Sequence, residues 1–141
     1  MSTSLPPRKV LTRRPVVAWA FYDWANSAFA TTVMAGFFPV FFKEYWNAGV
    51  VATESTFRLG LLNGLGAAVI ALLAPVLGAI ADRSSSRVRM LMMVTLLGCA
   101  ATAGLALVAQ GHWVAAALLY MLASLGFWGG IVFNDSLLLH V

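Results

Sequence analysis

Four long apolar runs, at residues 16–42, 59–81, 90–109 and 113–139, constrain this sequence more than any other feature. Each is about 20 residues or longer, the length an α-helix needs to cross about 30 Å of hydrocarbon. Lipid offers no hydrogen bonds to a backbone, so only helices and closed barrels span it. Barrel strands alternate apolar and polar residues over about ten positions, whereas these runs are continuously apolar. Composition agrees. Hydrophobic residues make up 61% and charged residues 10%, against roughly 25% charged in a soluble domain whose surface faces water. The sequence predicts an all-α, polytopic membrane protein with four transmembrane helices, for which the lipid bilayer is the first partner.

Residues 1–15 form a basic tail ahead of the bundle at 16–141. Ala28-Phe29-Ala30 has the small-residue spacing of a signal-peptide cleavage site. The surrounding run is far longer than the 7–15 residue core of a signal peptide, however. It continues through Phe37, Phe38, Val40, Phe41 and Phe42 and is read as a retained span. The basic residues lie between the runs: Arg8, Lys9, Arg13 and Arg14 in the tail, Arg83, Arg87 and Arg89 after the second run, and Lys43 and Arg58 between the first two. Cytoplasmic loops are enriched in Lys and Arg, so both termini are predicted to be cytoplasmic. This placement accounts for the net charge of +4 without a nucleic-acid partner.

Helices in lipid associate through small residues that let backbones approach. Gly60 and Gly64, Ala74 and Gly78, and Gly126 and Gly130 have that four-residue spacing. Pro39 and Pro75 each remove a helix hydrogen bond and are expected to kink their spans. The single cysteine, Cys99, gives no disulfide or metal cluster and reads as a small buried residue. Trp19, Tyr45, Trp46 and Trp113 stand near run ends, where aromatic belts form. Trp24 and Trp128 lie deeper, where packing is expected to hold them.

Polar residues inside apolar runs are costly and point to function; a central charge costs about 2.5–3.5 kcal/mol on insertion scales. Asp23 lies seven residues into the first run, about 10 Å along the helix. Asn26, Ser27 and Thr31 follow at i+3, i+4 and i+8, on or near one face, with Tyr22 adjacent. This stripe is expected to line a solute or proton pathway; the bland alternative is an Asp23 paired or hydrated at the interface. Asn134 and Asp135 make a second polar step at the end of the fourth run, at the same side of the membrane as Asp23. Asp135 also suits a plain helix-to-loop transition. Asn63, Thr95 and Thr102 are expected to make interhelical or backbone hydrogen bonds. No nucleophile–base set, CxxC pair or metal-spaced cluster is present, and His112 and His140 stand alone. The sequence therefore predicts no enzyme activity, no cofactor and no metal.

The loop after the second run reads Gly78-Ala-Ile-Ala-Asp82-Arg83-Ser-Ser-Ser-Arg87. On its residues alone it is a charged loop; in pattern and position it resembles the signature loop of the major facilitator superfamily. Ser85 replaces the usual glycine, and the following basic pair is displaced. The first run is similar in more detail to one branch, the Unknown Major Facilitator group related to vacuolar autophagy-related amino-acid effluxers. The likeness lies in Trp19-Ala-Phe-Tyr22-Asp23-Trp24-Ala25-Asn26-Ser27-Ala28, Phe37-Phe38-Pro39-Val40-Phe41-Phe42 and Phe133-Asn134-Asp135. The resemblance implies twelve helices in two halves that rock around a central site, with Gly78, Asp82, Arg83 and Arg87 as a cytoplasmic latch against the second half. Four helices match one three-helix repeat and the start of the next. The expectation is thus a truncated product or fragment of a transporter of a small solute, with the resemblance pointing to an amino-acid or metabolite effluxer. Its partners would be the missing C-terminal half or another copy. A dimeric four-helix exporter using Asp23, and a non-transporting remnant or scaffold, are the alternatives.

Overall fold

A computed structural model of the chain describes residues 13–83 and 87–138. The first span begins as α1 (Arg13–Ala28) and passes into a π-helical stretch, Phe29–Phe37. One α-helical turn follows, α2 (Phe38–Phe41), and then a second π-helical stretch, Phe42–Trp46. Next come α3 (Ala52–Arg83), α4 (Arg87–Gly104) with a 3-10 turn at Leu105–Leu107, and α5 (Trp113–Leu138). Among the described residues, four stretches are long and apolar enough to cross a membrane: Val16–Trp46, Ala52–Ile80, Arg87–Leu107 and Trp113–Ser136. Among the described residues there is no strand.

The fourth span is the centre of the bundle. It packs along α4, against α3 and against the end of the first span. Half of it is buried (50%), against 6% of the second span and 11% of the first. Its small residues explain this position. Gly126 meets Gly98 of α4 backbone to backbone, and Gly130 lies beneath the Tyr22 hydroxyl of α1. Without side chains at these points the helix axes approach closely, which is how packing replaces the hydrophobic effect inside lipid. The glycines of α3 play no such part: side chains added at Gly60, Gly64 or Gly78 would meet open space.

The core gathers Phe38, Phe42, Trp46, Leu62, Leu105, Ala116, Ala117 and Tyr120. Phe38 stacks on Tyr120 with ring centroids 3.6 Å apart and planes 8° from parallel. Pro39 sits at the start of α2, between the two π-helical stretches. Its missing N–H breaks the regular ladder, and the helix answers by winding wider rather than ending. The Thr31 hydroxyl donates to the carbonyls of Ser27 and Ala28, 3.1 and 3.3 Å away, at the junction of α and π winding. Pro75, by contrast, lies inside α3, which runs on through it.

The connection between the first two spans is shorter than the apolar pattern suggests. Helix continues to Trp46 and resumes at Ala52, so Glu54 and Arg58 ride on the first turns of α3. Their charges are tolerated because they are partnered. Arg58 Nη1 donates to Asn47 Oδ1 at 2.8 Å. Its other nitrogen pairs with the Glu54 carboxylate, and the guanidinium lies 4.5 Å over the Trp113 ring. Asn47 is buried and caps the first span, donating through Nδ2 to the Phe42 carbonyl at 2.9 Å. The Trp46 indole donates to the Val108 carbonyl at 3.3 Å, and the Gly111 N–H donates to the Tyr45 carbonyl at 3.4 Å. These contacts tie all four spans together at this end of the bundle.

Candidate functional site

The first span presents two faces. Tyr22, Asn26, Phe29 and Phe38 turn toward the bundle, while Asp23, Ser27 and Thr31 are exposed. The predicted polar stripe is therefore divided. Asn26 at i+3 from Asp23 falls on the packed side; Ser27 and Thr31 at i+4 and i+8 fall on the open side. Three-residue and four-residue steps rotate to opposite sides of the starting residue at about 100° per residue, which accounts for the separation.

On the packed side, the first span, α4 and α5 border an open cavity of about 480 Å³. Tyr22, Asn26, Thr95, Cys99 and Thr102 contribute its polar atoms, and Phe29 and Phe127 its aromatic wall. The Tyr22 and Thr95 hydroxyls are 3.2 Å apart and hydrogen-bonded. The Thr102 hydroxyl donates back to the Gly98 carbonyl at 2.8 Å. Phe29 lies against Phe127, centroids 5.4 Å apart. Cys99 is exposed rather than buried, because its face of α4 opens on this cavity. Thr95, Cys99 and Thr102 recur at i, i+4 and i+7, a spacing that marks one helix face. That spacing was the available signal for the cavity's α4 wall.

The other predicted residues are spread along the same end. Asn134 is buried and Asp135 exposed near the end of α5, and the Ser136 hydroxyl donates to the Phe133 carbonyl at 2.7 Å. Tyr22 reaches α5 at Gly130, so Asp135 lies five residues, about 7–8 Å, further along the helix. Asp23 and Asp135 thus occupy one end of the bundle. Gly78 is in α3, Arg83 ends α3 with its side chain exposed, and Arg87 begins α4. The Asp82 side chain and residues 84–86, which complete the signature-like loop, lie outside the described residues, as do residues 1–12 of the basic tail. Trp24 is 73% exposed. It makes an edge contact with Phe21 instead of packing into the bundle. Trp128 is also partly exposed, against Phe127. Among the described residues, no three His, Cys, Asp or Glu side chains gather to hold a metal.

The family described as "Vacuole effluxer Atg22 like" matches residues 45–139. A protein of Bacillus subtilis (strain 168), described as the uncharacterized MFS-type transporter YxiO, is 37% identical over 125 residues. That match takes in 88% of this chain and 29% of the relative, so the chain spans less than a third of the relative's length. No solved structure matches. The family match runs from the end of the first span through the whole of α5, the relative's match takes in 88% of the chain, and the chain belongs to the vacuole effluxer Atg22-like family of major-facilitator-type membrane proteins.

Proposed function

We propose that this chain is part of a major-facilitator-type transporter that exports a small solute, of the amino-acid or small-metabolite class. In this reading Asp23, Ser27 and Thr31 line the pathway, and both termini face the cytoplasm. The observation that carries it is the open face of the first span. A carboxylate and two hydroxyls stand exposed on a membrane helix whose opposite face is packed. Lipid penalises an ionised side chain, so such a face turns toward a water-filled path or another helix bundle. The greater length of the relative supports further helices opposite it. Family membership supports transport, and the family's description supports efflux. Asn134 and Asp135 flank the same end, and Gly78, Asp82, Arg83 and Arg87 form the loop latch. The function requires no cofactor and no covalent chemistry.

The test is solute counterflow in proteoliposomes containing the whole transporter, with a panel of amino acids and small metabolites. Asp23→Asn is expected to abolish pH-coupled transport while leaving the protein folded and inserted. Undiminished transport by Asp23→Asn removes Asp23 from the pathway. Absence of counterflow by the wild type for every solute overturns the assignment.

A further inference from the structure

α1 is held to the bundle by side chains rather than by backbone contact. Its backbone comes close to no other span except at isolated points. The first span joins the buried core only at Phe38, beyond the π-helical stretch Phe29–Phe37. Phe29 rests on Phe127 just past the end of α1. Among residues 16–28, the bond between the Tyr22 and Thr95 hydroxyls is the only side-chain hydrogen bond to another helix. The Trp19 indole nitrogen, one turn earlier, is buried without a partner.

Gly130 of α5 makes the Tyr22 bond possible. A Cβ at Gly130 would collide with the Tyr22 hydroxyl oxygen. The ring carbon that bears this oxygen would stand 3.5 Å from it, at ordinary van der Waals distance. One oxygen is thus the meeting point of α1, α4 and α5. Consecutive residues of an α-helix are about 100° apart, so the anchor at Tyr22 also dictates where Asp23 points. With Tyr22 turned inward, Asp23 is exposed. Lipid tails solvate apolar side chains alike whichever way α1 turns, so a directional hydrogen bond decides among its rotations.

We infer that Tyr22 is a positioning residue for Asp23. Its hydroxyl, seated on Gly130 and bonded to Thr95, sets the rotation of α1 and keeps the neighbouring carboxylate on the open face. The inference rests on the reading of that face as a solute pathway. Molecules whose α1 has turned away do not bind solute, and apparent affinity falls with the competent fraction. Loss of the anchor therefore raises KM and leaves the maximal rate, since saturating solute draws α1 back. A residue that only supports folding would lower the maximal rate at constant KM, by reducing the number of intact carriers.

The test pairs two measurements on the whole transporter in proteoliposomes. The first labels Asp23→Cys with a charged, water-soluble methanethiosulfonate reagent, scored at that site by mass spectrometry in a Cys99→Ala background. Adding Tyr22→Phe or Thr95→Val is expected to slow labelling by up to about threefold, the population weight of one interhelical hydrogen bond. Thr95→Ser keeps the hydroxyl and leaves labelling unchanged. Gly130→Ala drives the phenol off its seat and slows labelling further. Combining it with Tyr22→Phe removes the colliding oxygen and returns the rate to that of Tyr22→Phe alone. The second measurement is solute counterflow with Asp23 intact, where the same variants raise KM in the same order at an unchanged maximal rate. The inference is overturned if Tyr22→Phe and Gly130→Ala leave labelling at residue 23 unchanged, if Tyr22→Phe gives no relief of Gly130→Ala, or if counterflow loses maximal rate at constant KM. Labelling needs no transport, so a wild type that carries no solute would sink the pathway reading while labelling still decides the orientation.

Discussion

Gly98 and Gly126 touch through their backbones, so that a Cβ placed on Gly126 would fall 2.6 Å from the Gly98 Cα and 2.9 Å from its nitrogen. The Val94 carbonyl oxygen would be only 3.0 Å away. These are backbone atoms, which cannot swing aside as a side chain can. Gly126→Ala must therefore push α4 and α5 apart along their main contact. The expected loss is about 1–3 kcal/mol, the range for overpacked cores. Gly104→Ala is the control: its new methyl would meet only the Leu119 side chain, at 3.3 Å. Reversible unfolding in mixed micelles should rank Gly126→Ala well below Gly104→Ala, and equal stabilities would contradict the close crossing.

Arg58 holds the end of the bundle remote from Asp23 and Asp135 by three contacts at once. Arg58→Ala leaves the Asn47 Oδ1 acceptor without its donor in a buried site. The expected destabilisation is about 1–3 kcal/mol, the cost of a stranded buried polar atom. Arg58→Lys is expected to recover little, because an ammonium lacks the planar fork that serves Asn47, Glu54 and the Trp113 ring together. Thermal melting of the two variants decides this; full recovery by lysine would reduce the cluster to simple charge.

Phe38→Ala removes the ring stacked on Tyr120. In a water-soluble core such a truncation costs about 3–5 kcal/mol. The loss here is expected to be smaller, since lipid already solvates an apolar chain and only packing is forfeited. Phe38→Leu should retain part of it. A Phe38→Ala variant as stable as wild type would show that the stack carries no packing energy.

Tyr22 and Thr95 are 73 positions apart in sequence yet share a hydrogen bond. Such bonds average about 0.6 kcal/mol in membrane proteins. Tyr22→Phe and Thr95→Val are each expected to cost about that much, and the double variant no more than either alone. Strict additivity in the double-mutant cycle would mean that the two hydroxyls do not interact.

Much of this architecture was legible in the residues. Run length against hydrocarbon thickness gave the four spans, and the helix 1 string and the Asp82 loop pointed to the family. Other features were hidden for identifiable reasons. Glu54 and Arg58 looked like loop because hydropathy counts charges without seeing their partners. Cys99 looked buried because its depth in an apolar run says nothing about a cavity beside it. Asp23 and Asn26 looked like one face, but a three-residue step and a four-residue step diverge around the axis, and the neighbouring helix decides which is covered. The glycine pairs of α3 and α5 are alike in spacing, and only the fold distinguishes Gly126, which touches another backbone, from Gly60, where an added methyl would meet open space.

The wide winding of the first span has a consequence for chain length. A π-helical stretch carries more residues per turn than an α-helix, so Phe29–Phe37 and Phe42–Trp46 hold slack. A single deletion there can be absorbed by tightening to α geometry, leaving Phe38 and the residues beyond it in register. The same deletion in α5 would rotate every later side chain by about 100° and carry Gly126 away from Gly98. Of the four spans, the first is thus the one able to lose a residue without a change of partners.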